Sequence, residues 1–233
     1  MSISKIRLNW LAVVLLGGSS ALWADVSPFI VPPEDLFSRV QRIALMPTGI
    51  AIPVENSGAV ASQYEALVTA RLQAAGFAVI PSSAYHAIHA ELAERMGGEL
   101  DDAQRQAVKA HAKRELLVRH AGDALLYPLI SLVGVDSPGH SATWHGIEEP
   151  TGSFAAGMRA PAGARTLPAL SFIAVLTGIG GDSWYAGAGG VQLLARMEDD
   201  RLVKVPARDL LTDERRNERA VELALAGFGD MPD

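Results

Sequence analysis

The chain carries six histidines, twenty-six acids and no cysteine, and these bound its chemistry. Cysteine nucleophiles, cysteine–zinc sites and iron–sulfur clusters are excluded. His86 and His89 stand i, i+3 on a predicted helix, close enough to share a metal. Glu94, eight residues past His86, lies on a nearby face. No fourth ligand and no His-Glu-x-x-His motif accompany them. The favoured reading puts His89 at the border of a core and His86 in solvent. His111 and His120 are nine apart on the next predicted helix and share no role; His120 suits a helix C-terminus.

Trp144-His145 followed by Glu148-Glu149 is the densest polar–aromatic cluster in a charge-poor stretch. Adjacent carboxylates can do acid–base work, but strand neighbours point to opposite faces, so these two do not converge. The expectation is an inward tryptophan with solvated acids. The functional alternative is a partner-binding strand anchored by Trp144. Trp184-Tyr185, just after a glycine turn, either packs the sheet or lies exposed at its edge. Trp144, His145, Trp184 and Tyr185 are therefore the candidate partner-binding residues. No catalytic residue, metal ligand or cofactor motif stands out.

Gly178-Ile-Gly-Gly181 and Gly187-Ala-Gly-Gly190 invite a phosphate-loop reading. Neither is G-x-G-x-x-G, and neither opens a helix after a strand; hairpin turns and bulges explain them better. No Gly-x-Ser-x-Gly occurs, although a triad's members need not be neighbours in sequence. Arg215, Arg216 and Arg219 resemble a basic patch, yet residues 196–219 hold seven basic and seven acidic side chains. A solvated helix face is expected there.

The elements that would hold these residues follow from periodicity. Arg42–Pro47 predicts a buried strand closed by proline. Val60, Tyr64, Leu67, Val68 and Leu72 predict a helix over 59–75, stopped by Gly76. Phe77–Ile80 predicts a strand. Ser82 or Ser83 can cap a second helix to about Arg95, and Asp101 or Asp102 a third to about His120. Ala124–Val135 predicts a long strand, in which Pro128 implies an edge or a bulge. Ser141–Glu149 is a plausible partner strand and Pro150–Pro168 a small-residue loop. Leu170–Thr177 is a strand whose return begins at Ser183–Ala186. Val191–Met197 and Leu202–Val205 form another hairpin. Thr212 can cap a final helix with Ala220, Val221, Ala224, Leu225 and Phe228 on its apolar stripe. The order β-α-β-α-α-β-β-β-β-α predicts an α/β (α+β) fold, a single mixed sheet with helices mainly on one face.

The 233 residues are 49% hydrophobic, and the net charge of −6 leaves no basic footprint for nucleic acid. Residues 123–195 hold only seven charged side chains, where the chain average of 20% would give about 15. Strands covered by helices explain that depletion; an apolar surface meeting a partner is the alternative. At the amino end, Lys5 and Arg7 precede the apolar run Trp10–Leu16, then small residues follow. That is the layout of a cleavable secretory signal, with Ala21 or Ala24 before the cut. The apolar run is far short of the ~18 residues that span a bilayer. Loss of residues 1–24 removes two cations and no acid, taking the charge from −6 to −8. Residues 25–40 then read as an extended leader, with Pro28, Pro32 and Pro33 opposing helix. Residues 41–228 read as one globular domain. No cysteine is present for a lipid anchor, so a non-lipidated periplasmic chain is expected.

Three motifs carry a resemblance: Ile43-Ala-Leu-Met-Pro47, Gly76-Phe-Ala-Val79 and Gly122-Asp-Ala-Leu125. They resemble the strands of envelope domains related to the amino-terminal domain of the Tol translocation propeller protein and to the curli-secretion lipoproteins. The match covers roughly residues 40–130. The acylated cysteine of those lipoproteins has no counterpart here, and the propeller protein's large second domain is not expected. With Ser141-Ala-Thr-Trp144-His-Gly146, the whole chain also looks like uncharacterised exported bacterial proteins. The resemblance implies a binding or assembly module with no catalytic residues. The expected function is a non-enzymatic periplasmic scaffold whose partner is an envelope protein or complex. The alternatives are a hydrolase of scattered Ser, His and acidic groups, and a self-assembling structural protein, hence a possible homo-oligomer.

Overall fold

A computed structural model describes residues 27–97, 99–137, 140–153, 165–198 and 201–229. The signal reading, most of the 150–168 loop and the acidic turn at 199–200 lie outside the described residues. Among those described, no helix is long and apolar enough to cross a membrane.

The chain is an α/β fold around a mixed six-stranded sheet. Its elements are α1 (Pro33–Arg39), β1 (Arg42–Leu45), β2 (Gly49–Ile50), α2 (Ser57–Ala74), β3 (Ala78–Ile80), α3 (Ser82–Met96) and α4 (Asp102–His120). Then come β4 (Ala124–Ser137), β5 (Ser141–Trp144), β6 (Ile147–Pro150), β7 (Gly152–Ser153), β8 (Arg165–Thr177) and β9 (Ser183–Leu193). The strands β10 (Ala195–Glu198) and β11 (Arg201–Lys204) and the helix α5 (Glu214–Ala224) complete it. The main sheet runs β3-β1-β4-β8-β9, with β2 also on β4. The strands β3, β1 and β4 are parallel neighbours, whereas β8 and β9 are antiparallel. Two small sheets, β11-β10-β7 and β5-β6, flank it.

Local chemistry sets the helix boundaries. The helix α2 ends in a Schellman-type stop: Gly76 is left-handed (φ 86°) and the Phe77 N–H reaches Leu72 O at 3.1 Å. Asp101 and Gln104 form a reciprocal capping box at the start of α4. The last helix is capped by Asp213, which accepts from the Arg216 N–H at 3.2 Å, one residue past the expected Thr212. Ser82 and Ser83 lie inside α3 rather than capping it.

Three expectations are corrected. The leader is not extended throughout, because Pro33 begins α1. A proline in the first turn gives up only an amide that has no intrahelical partner, and its fixed φ suits a helix. Leu36 and Val40 then bury against the core, and Phe29 pairs with Tyr185 at the β9 edge. Pro128 marks neither an edge nor a bulge, since β4 is central. Met46 N–H bonds Leu126 O and Ala51 N–H bonds Ile130 O, so even residues of β4 turn their polar backbone toward β1 and β2. Pro128 faces the gap between Leu45 and Gly49, where neither strand needs its missing donor. Finally, Ser141–Glu149 is not one strand but the hairpin β5–β6. It turns at His145 (φ 40°) and Gly146 (φ 80°), a type I′ pattern.

Helices cover both sheet faces, where the sequence predicts them mainly on one. On one, α1, α2 and α5 enclose Ile43, Leu45, Leu126, Ile130, Phe172 and Leu176. On the other, α3 and α4 pack on Ala44, Met46, Ile80 and Leu125, with Tyr127 half-buried beside them. Farther out on that second face, β5–β6 seals Val135, Leu167, Ala169 and Leu193. Between α4 and the hairpin, Leu129, Val175, Ala186 and Ala188 are half-buried.

Candidate functional site

The structure separates the four aromatic and histidine candidates instead of gathering them. Trp144 is 1% exposed, and its indole N–H donates to Leu170 O at 3.3 Å. Tyr185 is fully buried on the opposite sheet face; its hydroxyl donates to Ala224 O at 2.8 Å and its ring lies 4.6 Å from Phe228. Burial pushes its hydroxyl well above the usual tyrosine range. Trp184 is half-buried, and its carbonyl accepts from the Ile30 N–H at 2.9 Å. Trp144 therefore packs inward, as expected, and Tyr185 packs the sheet; the alternative that made these two partner-binding residues is corrected, since both are core residues. The apolar matrix of 123–195 absorbs them, as large rings gain most from burial.

His145 is the one candidate with reactive geometry. Its Nδ1 lies 2.8 Å from Ser171 Oγ, and its carbonyl accepts from the Gly190 N–H at 3.0 Å. Burial lowers its pKa below the ordinary 6.5. A neutral imidazole beside a hydroxyl is a base–nucleophile pair in principle, but Ser171 is fully buried.

The acids also depart from expectation. Glu148 is exposed and Glu149 is 5% exposed, the alternation a strand imposes. Rather than being solvated, Glu149 accepts from the Leu193 N–H at 3.1 Å and pairs with Arg216. That correction also removes Arg216 from the solvated face assigned to the final helix. Burial of this carboxylate is tolerable because it is both paired and hydrogen-bonded. His86 is exposed and His89 half-buried against Tyr85, as favoured. No group of three or more metal-ligating side chains occurs among the described residues.

The glycine runs serve packing. A Cβ on Gly187 would stand 2.1 Å from Ala224 O, and one on Gly189 would stand 2.0 Å from Ala220 O. Bare glycine backbone therefore lets α5 lie directly on β9. Gly187–Gly190 is mid-strand, with a register shift beside Gly190 and no turn. Gly178–Gly181 is the β8–β9 turn, as expected.

That turn forms one wall of a groove that the sequence did not reveal. The other wall is α4, presenting Lys109, Lys113 and Arg114, and the volume is about 340 Å³. No acid lines it, and no ion pair engages these three cations among the described residues. Lys113 Nζ rests 4.9 Å from the centre of the Tyr127 ring. Leu117 and Leu125 border the groove, and Ile179 on the turn is 63% exposed. The i, i+4 spacing of Lys109 and Lys113 was readable; the turn that faces them is more than sixty residues away.

No family model matches the chain, and no curated protein matches it in sequence. Among solved structures it is similar to two dodecamers of PelC from Paraburkholderia phytofirmans. One, a point variant, gives a TM-score of 0.39 at 11% identity, covering 82% of this chain and 90% of that one. The other gives 0.38 at 10%, covering 83% and 91%. Likeness at this level leaves fold and function to rest on the chain's own residues.

Proposed function

We propose that this chain is an exported, non-enzymatic binding and assembly module of the bacterial cell envelope. The observation that carries the reading is the groove. Three cations gather without acidic partners among the described residues, on a chain whose net charge is −6. They face an exposed isoleucine across an apolar floor. Cations kept without acidic partners beside exposed apolar surface suit contact with another molecule. The envelope setting draws support from the amino-terminal signal layout. It also draws on the Tol-propeller and curli-secretion resemblance, whose three motifs occupy the adjacent parallel strands β1, β3 and β4.

The test expresses the full chain in a bacterial cell with a photo-crosslinking residue at Ile179. The expected outcome is a chain shortened by the signal segment in the osmotic-shock fraction, carrying a discrete adduct. A full-length cytoplasmic chain, or an exported folded chain without adduct, contradicts the reading.

The His145–Ser171 contact favours a second reading, a hydrolase whose hairpin β5–β6 must lift to expose the serine. A fluorophosphonate probe that labels Ser171, and fails to label it in His145→Asn, supports that reading. An unlabelled native chain removes it.

A further inference from the structure

We infer that the groove between α4 and the β8–β9 turn binds an extended acidic peptide segment of a partner protein, with carboxylates at alternate positions. The inference deepens the binding-module reading and rests on it.

Three features of the groove select this ligand. The first is spacing. Lys109 and Lys113 are one helical turn apart, about 6 Å along the axis. Residues i and i+2 of an extended chain are about 6.6 Å apart and share a side. A carboxylate at every second residue therefore meets successive cations of α4, with Arg114 beside them as a further donor.

The second is the contrast between the walls. α4 is cationic, whereas the turn offers Ile179, 63% exposed, and glycine backbone. An extended peptide sends alternate side chains to opposite sides. Acids then face α4 while the intervening apolar residues face Ile179. Asp182 sets a carboxylate beside Gly180 on the turn. It disfavours acids on that side and so reinforces the alternation.

The third separates a peptide from an acidic polysaccharide. Sugar rings stack on open aromatic faces, and the groove's aromatic ring, Tyr127, already has Lys113 over it, so the groove offers a sugar no stacking platform. The remaining floor, Leu117 and Leu125, suits aliphatic side chains.

The probe is a short fluorescein-labelled peptide alternating Glu with Leu and Val. It is titrated by anisotropy into the chain lacking residues 1–24. A second peptide of the same composition has its acids in one block. The alternating peptide should bind more tightly, and its affinity should fall with salt. The double variant Lys109→Glu/Lys113→Glu should lose about tenfold in affinity. Ile179→Asp should weaken the alternating peptide and leave the block peptide unchanged. Thermal unfolding checks each variant, and Arg114→Glu replaces the double variant if that one unfolds.

Equal affinity for the two peptides overturns the inference, as does indifference to charge reversal. Alginate binding more tightly than the peptide also overturns it, in favour of a polysaccharide. If the peptide fails while the Ile179 adduct in cells persists, the ligand class falls and the binding-module reading stands. If both fail, both fall.

Discussion

The two faces of the central sheet are covered by different means. Under α1, α2 and α5 the contact is continuous and ring-rich. Tyr64 stacks on Phe172 at 5.2 Å, and Phe77, Tyr185 and Phe228 interlock beside them. Glycine on β9 brings the α5 backbone directly onto the strand. Asn217, fully buried there, is satisfied: it accepts from the Tyr64 hydroxyl at 2.9 Å and donates to Leu211 O at 2.9 Å. The other face has two separate covers, the α3–α4 pair and the β5–β6 hairpin, with half-buried strand between. Cations without acidic partners, the half-buried histidine and the exposed turn all belong to this second face. One side holds the fold together, and the other is left available for contact.

The largest effect should come from the sealed face. Phe172→Ala should cost about 3–5 kcal/mol in denaturant unfolding; a loss near 1 kcal/mol would mean the ring stack is not central. Gly189→Ala forces a methyl against Ala220 O and should cost about 2–3 kcal/mol. On the open face, Gly180→Ala meets only Asp182 Oδ2 at 3.4 Å and should stay within about 0.5 kcal/mol. Similar values for the two glycines would erase the contrast between the faces.

Arg216→Met tests the tie between the hairpin end and α5. It leaves Glu149 buried without its cation, and should cost about 1–3 kcal/mol, below a fully buried pair because Arg216 is 39% exposed. Adding Glu149→Gln should recover part of that loss.

His145 supplies a pH dependence. Its folded pKa lies below the unfolded value, so its contribution is complete above about pH 6.5. As pH falls from there toward the folded pKa, the unfolded chain takes up the proton first and stability drops. Thermal unfolding of His145→Asn should show a shallower decline over that window than the native chain. Parallel curves would mean the imidazole is not held neutral by its burial.

Smallest of all, Lys109→Glu/Lys113→Glu should change stability by about 0.5 kcal/mol or less, since both side chains lie on an open groove. Its effect belongs to binding. A large stability loss would make these lysines structural.

Much of the architecture was legible because local rules dictated it. The 3–4 spacing of Tyr64, Val68 and Leu72 with Gly76 behind them leaves little choice. Asp101 or Asp102 ahead of the next run likewise announces a helix start. What escaped were relations between distant segments. Pro128 reads as an edge residue until the gap between β1 and β2 is placed beside it. Pro33 opposes helix by propensity, yet the first turn is where proline fits. Gly187 and Gly189 read as a hairpin turn or bulge because the helix that needs them lies more than thirty residues onward. The candidate site fared worse. Trp144 and Tyr185 drew attention as rare large rings, and their size is what buried them. The groove's cations, Lys109, Lys113 and Arg114, carried no signal of a site in the sequence, because the turn at Gly178–Gly181 that faces them is far along the chain.

The most direct test of the account is a paired photo-crosslink in intact cells. One probe sits at Ile179 on the open face and the other at Ile30, 59% exposed beside the sealed one. The account predicts a discrete adduct from Ile179 that disappears with Lys109→Glu/Lys113→Glu, and none from Ile30. An adduct from Ile30 alone, or one from Ile179 indifferent to the charge reversal, would contradict it.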